Sequence, residues 1–377
     1  MPNRSAGCLD RIKIPGENSL RILIDIGHPG HVHLFRNMIR IMQHQGHEFL
    51  ITARDKEVTH ELLNAYGIGY QGRGKGYKGI VGKACGVLSI TAKIISVSRK
   101  FRPDIFVGGV GNLYVAIAGW IMRKPALIFD DTEHASLELA FVKRFASAII
   151  TPDIYEKDFG KKQVRYAGYH EWSYLHPNYF APDRTIYRKL NIPEDKPYVV
   201  IRFVSWGAAH DMGQKGLTGN EKMKLVNSLS DRYKVFISAE GDLQNELRKF
   251  QLKLHPAEMH SVLAGASLFI GEGATMASES VCLGTPAIYV NSLSLGYCEE
   301  QKDRGLLYHL TDLKLITEKA MEILNNGDGK KEYMQRHRSL FKQKIDVTAF
   351  MVWFVENYPG SHSTMIETPR YQEKFLT

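Results

Sequence analysis

Apolar positions along this chain follow two alternating rhythms. Runs such as LRILIDIG (20–27), HEFLITA (47–53), IFVGG (105–109), ALIFD (126–130) and SAIITP (147–152) are short and mostly apolar, as strands buried on both faces are. After the first run comes HVHLFRNMIRIMQHQG, where Leu34, Phe35, Met38, Ile41 and Met42 recur at helical spacing and Gly46 stands at the C-cap. A second helix is expected around 58–66, ending at Gly67. This repetition predicts an α/β fold with a parallel, doubly wound sheet.

The pattern loosens between Tyr169 and Lys196, where HEWSYLHPNYFAPD holds two prolines and many aromatics. A second series follows: YVVIRFV (198–204), YKVFISA (233–239), SLFIGEG (267–273) and PAIYV (286–290). Helices are expected over about 313–325 and 330–358, and the tail from Pro359 shows no packing pattern. The expected boundaries are an N-terminal extension (1–19), a Rossmann-like domain (20–168), a linker (169–196), a second Rossmann-like domain (197–345), and a C-terminal helix and tail (346–377). Two such halves facing each other across a cleft describe the GT-B architecture, with ligands at the carboxyl ends of the strands.

Composition agrees: 44% of the 377 residues are hydrophobic and 24% charged, ordinary for a globular chain. The uncharged stretch between Asp104 and Arg123 approaches the length of a spanning helix, but Gly108, Gly109, Gly111 and Asn112 divide it into strand, turn and helix. Cys8, Cys85, Cys282 and Cys298 are widely spaced with no CxxC pair, which points to a reducing compartment. Residues 1–19 lack the apolar core of a signal peptide, so a cytoplasmic protein is expected.

Charge is unevenly spread. The net value is +9, and Gly72 to Arg102 holds eight basic residues (Arg73, Lys75, Lys78, Lys83, Lys93, Arg99, Lys100, Arg102) and no acidic one. Such a block suggests an anionic partner. As a helix, the segment puts Ile80, Ala84, Val87, Leu88, Thr91, Ile94, Ile95 and Ser98 on one face and Lys93 and Lys100 opposite. An ordinary packed helix explains this, and so does a basic edge resting on anionic lipid. No recognised nucleic-acid module accompanies the charge, so nucleic acid is not expected.

Two motifs carry the chemistry. In GHPGHVH (27–33) the glycines allow a tight turn and the following helix directs its N–H groups at the strand ends, a natural anion site. His28 and His31 would then serve as general base or sugar ligand, or merely cap the helix. A metal held by His28, His31 and His33 is disfavoured, because a turn entering a helix splays these rings. In GEGATMASESVCLGTP (271–286), Gly273, Ala274 and Thr275 can cradle a diphosphate, and Glu279 lies about one turn into the helix, where it could accept from two ribose hydroxyls. Weaker candidates are the acidic cluster DDTEHAS (130–136), with Asp131 and Glu133 as acid and base, and Arg202, Ser205 and Gly207 of RFVSWGAAHD as phosphate contacts.

The pair GHPGHV and GATMASESVCLGTPAI resembles the GT-B superfamily of nucleotide-sugar enzymes. It is similar in particular to MurG-type N-acetylglucosaminyltransferases, UDP-N-acetylglucosamine 2-epimerases and a family of uncharacterised predicted glycosyltransferases. The resemblance places Gly30, His31 and Val32 on the end of the MurG-type glycine loop, Glu279 on its ribose-binding Glu, and Met259 and His260 where the superfamily holds the base of the nucleotide. It sets Asp131 or Glu133 beside a Glu of the epimerases and His210 near one of their loop histidines. It implies a glycosyltransferase that moves a sugar from a UDP-sugar, held by the second half, to an acceptor on the first. MurG-type enzymes use a lipid-linked acceptor, which extends the expectation to the inner membrane face. No metal or cofactor is required, since helix N-termini and basic groups can stabilise the leaving diphosphate. The alternatives are a UDP-sugar 2-epimerase and a non-catalytic nucleotide-sugar-binding protein.

Overall fold

The computed structural model describes residues 19–56, 58–77, 80–109, 111–133, 136–194, 196–204, 216–327 and 329–376. The apolar runs of the first half form β1 (Arg21–Ile26), β2 (Glu48–Arg54), β4 (Ile105–Gly108), β5 (Ala126–Phe129) and β6 (Ala148–Pro152). With β3 (Gln71–Gly74) and β7 (Gln163–Tyr166) they make a seven-stranded parallel sheet in the order β3-β2-β1-β4-β5-β6-β7. Its helices are α1 (Pro29–His44), α2 (Thr59–Ala65), α3 (Ile80–Phe101), α4 (Leu113–Met122) and α5 (Ser136–Phe145). Gly46 and Gly67, just past α1 and α2, take φ of 93° and 66°, the left-handed region that suits glycine.

The short helices α6 (Trp172–Leu175) and α7 (Ile186–Lys189) lead to a five-stranded parallel sheet. Its strands are β8 (Tyr198–Phe203), β9 (Lys234–Ala239), β10 (Leu268–Gly271), β11 (Ala287–Tyr289) and β12 (Leu307–His309), in the order β12-β11-β10-β8-β9. Around them lie α8 (Gly219–Ser230), α9 (Met259–Gly265), α10 (Ala274–Cys282), α11 (Gly296–Asp303), α12 (Leu313–Asn325) and α13 (Gly329–Phe341). Strand order reverses between β1 and β4 in one sheet and between β8 and β10 in the other. A doubly wound sheet opens its ligand crevice at such points.

Several details depart from the sequence reading. Residues 169–175 form no loose tether: Tyr169, Trp172 and Tyr174 are buried in a core running through both halves. The expected helix over 330–358 is broken. Asp346 caps α14 (Val347–Glu356) by accepting from the Ala349 N–H at 2.9 Å, and α14 crosses back onto α1. The tail is packed as well. It forms α15 (Gly360–Glu367) and a helical turn over Pro369–Phe375, with Tyr371 and Phe375 against Trp353 and the Lys374 ammonium 4.6 Å from that ring's centre.

The basic block is also changed. Leu88, expected on the packed face of α3, is 76% exposed, while Ile90, Thr91, Ile94 and Ser98 are buried. Arg73 is buried rather than presented: its Nε and a terminal nitrogen reach the two oxygens of buried Asp25 at 2.7 and 3.0 Å. Lys93 donates to the Arg73 carbonyl at 3.3 Å. Lys75, Arg99, Lys100 and Arg102 stay exposed, and Lys78 lies outside the described residues. No helix among the described residues is long and apolar enough to cross a membrane.

Candidate active site

The carboxyl end of β1 runs through Gly27 into the start of α1. His28 is extended there (φ −149°, ψ 151°) and caps the helix, its Nδ1 accepting from the Gly30 N–H at 3.1 Å. Pro29 follows at a position whose missing N–H is no loss. Two residues on, the His31 side chain folds back, and its Nδ1 accepts from the Gly27 N–H at 3.2 Å. The ring is buried over the end of β4, where a Cβ on Gly109 would lie 2.5 Å from Nε2. Only glycine admits the imidazole. Burial, reinforced by His28 and His170, lowers the His31 pKa to about 3.

The acidic cluster follows β5. Buried Asp130 accepts from the Thr132 N–H at 2.8 Å, and burial raises its pKa to about 7. Asp131 Oδ2 lies 2.9 Å from His170 Nδ1. Burial pushes the Asp131 carboxyl up, but the attraction and hydrogen bond of His170 outweigh it and hold the group below its usual range. His170 is the mirror case: burial disfavours its charge, yet Asp131 raises its pKa above the ordinary value. Next to it, burial and then Asp131 raise Glu171 to about 8. Glu133 accepts from the Glu156 N–H at 3.1 Å and, across the cleft, from the Gly296 N–H at 3.4 Å.

On the second half, extended Gly273 caps α10 without a side-chain bond, so Ala274 and Thr275 open the helix with their backbone amides at the strand end. Glu279 is buried one turn later, where Oε1 accepts from the Tyr174 hydroxyl at 2.8 Å and pairs with His260 Nε2 at 3.0 Å. His33 of α1 completes this cluster, its ring 4.6 Å from that of His260; burial, then His260, keeps it well below the usual imidazole range. Met259 opens α9 and packs on the core. Arg202 is engaged by the Ser238 hydroxyl at 2.7 Å and Glu240 at 2.8 Å. Ser205, Gly207 and His210 lie outside the described residues.

The family whose model matches residues 20–352 is described as "Protein of unknown function (DUF354)". This chain belongs to the DUF354 family. A curated relative, the uncharacterized protein MJ0665 of Methanocaldococcus jannaschii, is 25% identical over 313 residues, spanning 79% of this chain and 90% of that protein. Among solved structures, the DUF354 chain is similar to a putative UDP-N-acetylglucosamine 2-epimerase from Listeria monocytogenes, with TM-score 0.62, 12% identity, and 85% and 90% of the two chains covered. It is also similar to the spinosyn rhamnosyltransferase SpnG in complex with spinosyn aglycone, with TM-score 0.61, 13% identity, and 90% and 100% covered. At these identities the likeness establishes the GT-B fold of the DUF354 chain.

Sequence reasoning about the DUF354 chain missed the residues that tie its two clusters together. His170, Glu171 and Tyr174 fall in a segment read as linker, although a His-Glu pair flanked by aromatics in an aperiodic stretch was itself a signal. His170 meets Asp131 and Tyr174, four residues on, bonds Glu279, so one short segment reaches the strand ends of both halves. Glu272 was also missed. Its carboxylate accepts from the Val204 and Leu217 N–H groups, each at 3.0 Å, and pairs with Lys222 at 3.2 Å. Among the described residues no three metal-ligating side chains converge.

Proposed function

We propose that this chain transfers a sugar from a nucleotide sugar, most simply a UDP-sugar, to an acceptor hydroxyl. The observation that carries the reading is the segment 170–174, which sets His170 on Asp131 of the first half and Tyr174 on Glu279, one turn past the N-terminus of α10, on the second. Backbone amides at Gly273, Ala274 and Thr275 would take the diphosphate, aided by the helix dipole. Glu279 would accept the ribose hydroxyls once the cleft opens, with Met259 and His260 near the nucleotide base. Arg202, Ser205 and Gly207 would support the phosphates. On the first half His28, His31, Asp131 and Glu133 would serve the acceptor side. The Listeria and spinosyn neighbours, one titled an epimerase and the other a rhamnosyltransferase, support nucleotide-sugar chemistry in general.

A lipid-linked acceptor at an anionic membrane surface is the finer form of this reading, supported by the exposed Lys75, Arg99, Lys100 and Arg102. The second reading, 2-epimerisation, is favoured by one observation: neighbouring Asp130 and Asp131 are pushed to opposite sides of the carboxylate range, as paired acid and base groups are. Incubation with a panel of UDP-sugars, with and without membrane extract, separates them. Acceptor-dependent UDP release supports transfer, and a new epimer without acceptor supports isomerisation. UDP-sugar binding with neither product leaves a binding protein.

A further inference from the structure

We propose that the base of the transfer is His170, oriented by Asp131, and that His31 serves the reaction only as a hydrogen-bond donor. This rests on the transferase reading above.

The two rings are held in opposite tautomers. At His31 the Gly27 N–H donates to Nδ1, so in the neutral imidazole the hydrogen sits on Nε2. A second proton would break that bond inside a buried site bordered by His28, His170 and Lys56, whose combined effect with burial the one opposing charge, Asp131, does not offset. At neutral pH His31 therefore has no free lone pair with which to take a proton. Its Nε2–H can donate to an oxygen, and that is all.

At His170 the pattern is reversed. The Asp131 carboxylate accepts from Nδ1 at 2.9 Å, which leaves the lone pair of the neutral ring on Nε2. That Nε2 is buried and has no hydrogen-bond partner among the described residues. Buried polar atoms are paired in the great majority of cases, and Asp130 Oδ2, Glu171 Oε2 and the Tyr166 hydroxyl beside this ring are likewise unpaired among the described residues, which marks the spot as a place for a polar ligand such as a substrate hydroxyl. The groups around the ring are Asp130 and Asp131 from the end of β5, Glu171 beside it, His31 from α1, and Tyr166, whose ring stacks on it. Burial is the largest single influence and opposes the imidazolium that proton uptake creates, but Asp131, through its charge and its hydrogen bond and with smaller help from Glu171 and Asp130, outweighs it.

In the transfer step the acceptor hydroxyl oxygen forms a bond to the anomeric carbon and its proton moves to His170 Nε2. The bond from that carbon to the diphosphate oxygen breaks, and the nucleoside diphosphate leaves with the electron pair. Asp131 keeps its charge and acts as a positioning residue.

Histidine-ring NMR on the full chain, together with pH–rate profiles on the UDP-sugar that the wild type uses, tests this. The spectra should show His31 with its hydrogen on Nε2 and neutral to below pH 5, and His170 with its hydrogen on Nδ1. His170→Ala should lower kcat by roughly 10²–10⁴-fold with UDP affinity little changed. Asp131→Asn should move the His170 titration and the acid limb of the rate profile to lower pH together, which a merely structural role would not do. His31→Gln should slow turnover and keep that limb. His170 carrying its hydrogen on Nε2, or an active wild type whose His170→Ala variant keeps kcat and the acid limb, overturns the assignment alone. A wild type that turns over no UDP-sugar overturns the transferase reading and the base with it. Should His170→Ala not fold, His170→Gln and the wild-type spectra carry the same decision.

Discussion

The carboxylate of Glu133 accepts the amide N–H of Gly296 at 3.4 Å, and the two residues belong to opposite halves of the molecule. Gly296 opens α11, so the carboxylate meets a helix N-terminus, where negative charge is favoured. The approach is close on both sides: a Cβ on Gly296 would lie 2.6 Å from the Ile154 carbonyl oxygen and 3.1 Å from Glu133.

Gly296→Ala should therefore push the halves apart, because a backbone carbonyl cannot yield as a side-chain tip can. A larger radius of gyration in solution scattering and a lower melting temperature are expected. A variant that matches the wild type in both would show that the halves do not depend on this contact.

The Asp25–Arg73 pair yields a second prediction. Both side chains are buried, and the Thr52 hydroxyl donates to the same carboxylate at 2.6 Å. Arg73→Met leaves Asp25 uncompensated and should cost about 3–5 kcal/mol in urea denaturation. Adding Asp25→Asn to Arg73→Met should recover much of that loss, since the isolated charge, not the missing bond, sets the penalty. A double variant no better than Arg73→Met would refute this account.

The fold was legible where burial on both faces leaves an unbroken apolar run: β1, β4, β5, β6, β8 and β10 all announce themselves. The strands missed, β3 (QGRG), β7 (QVRY) and β12 (LYH), are all sheet edges of three or four residues, too short to show an apolar rhythm. Each strand-end motif was readable because glycine, histidine and carboxylate cluster there. What could not be read is pairing across long sequence separations. Asp131 with His170, Glu133 with Gly296 and Tyr174 with Glu279 are contacts that only the folded chain creates. Arg73 fails for a related reason: a charge count cannot tell a surface cation from one turned inward to a buried carboxylate.

Stability should fall as the solution becomes alkaline. Glu171 and Asp130 have folded-state pKa values raised, by burial first, to about 8 and about 7. A raised value contributes stability that is fully present below the unfolded pKa, near 4, and is lost as pH rises through the folded one. His170, also raised, acts in the same sense, while Asp131, lowered, contributes above its unfolded value and loses that contribution as pH falls. Glu171→Gln should thus match the wild type near pH 4 and exceed it near pH 9 by more than about 1.4 kcal/mol, the worth of one pKa unit. Urea denaturation at the two pH values checks this, and equal wild-type and variant curves at pH 9 would contradict it.

Glu279 carries the prediction closest to function. In the closed cleft its Oε1 is shared by Tyr174 and His260, so the carboxylate is preorganised, and the side chain must be uncovered before a ribose can reach it. Glu279→Ala should weaken UDP affinity by about 1.5–3 kcal/mol, the range for hydrogen bonds to a charged group. It should also lower stability by about 1–3 kcal/mol, because the Tyr174 hydroxyl and His260 Nε2 are left buried and unpaired. Tyr174→Phe separates the two effects. It removes one donor but keeps the carboxylate, so the fold should loosen slightly while UDP affinity stays within about threefold, well under the 1.4 kcal/mol that makes a factor of ten. Calorimetric titration with UDP and thermal melts on both variants supply the four numbers. A folded Glu279→Ala protein that binds UDP as the wild type does would remove Glu279 from the nucleotide site and leave it as the partner that holds Tyr174 and His260 in place.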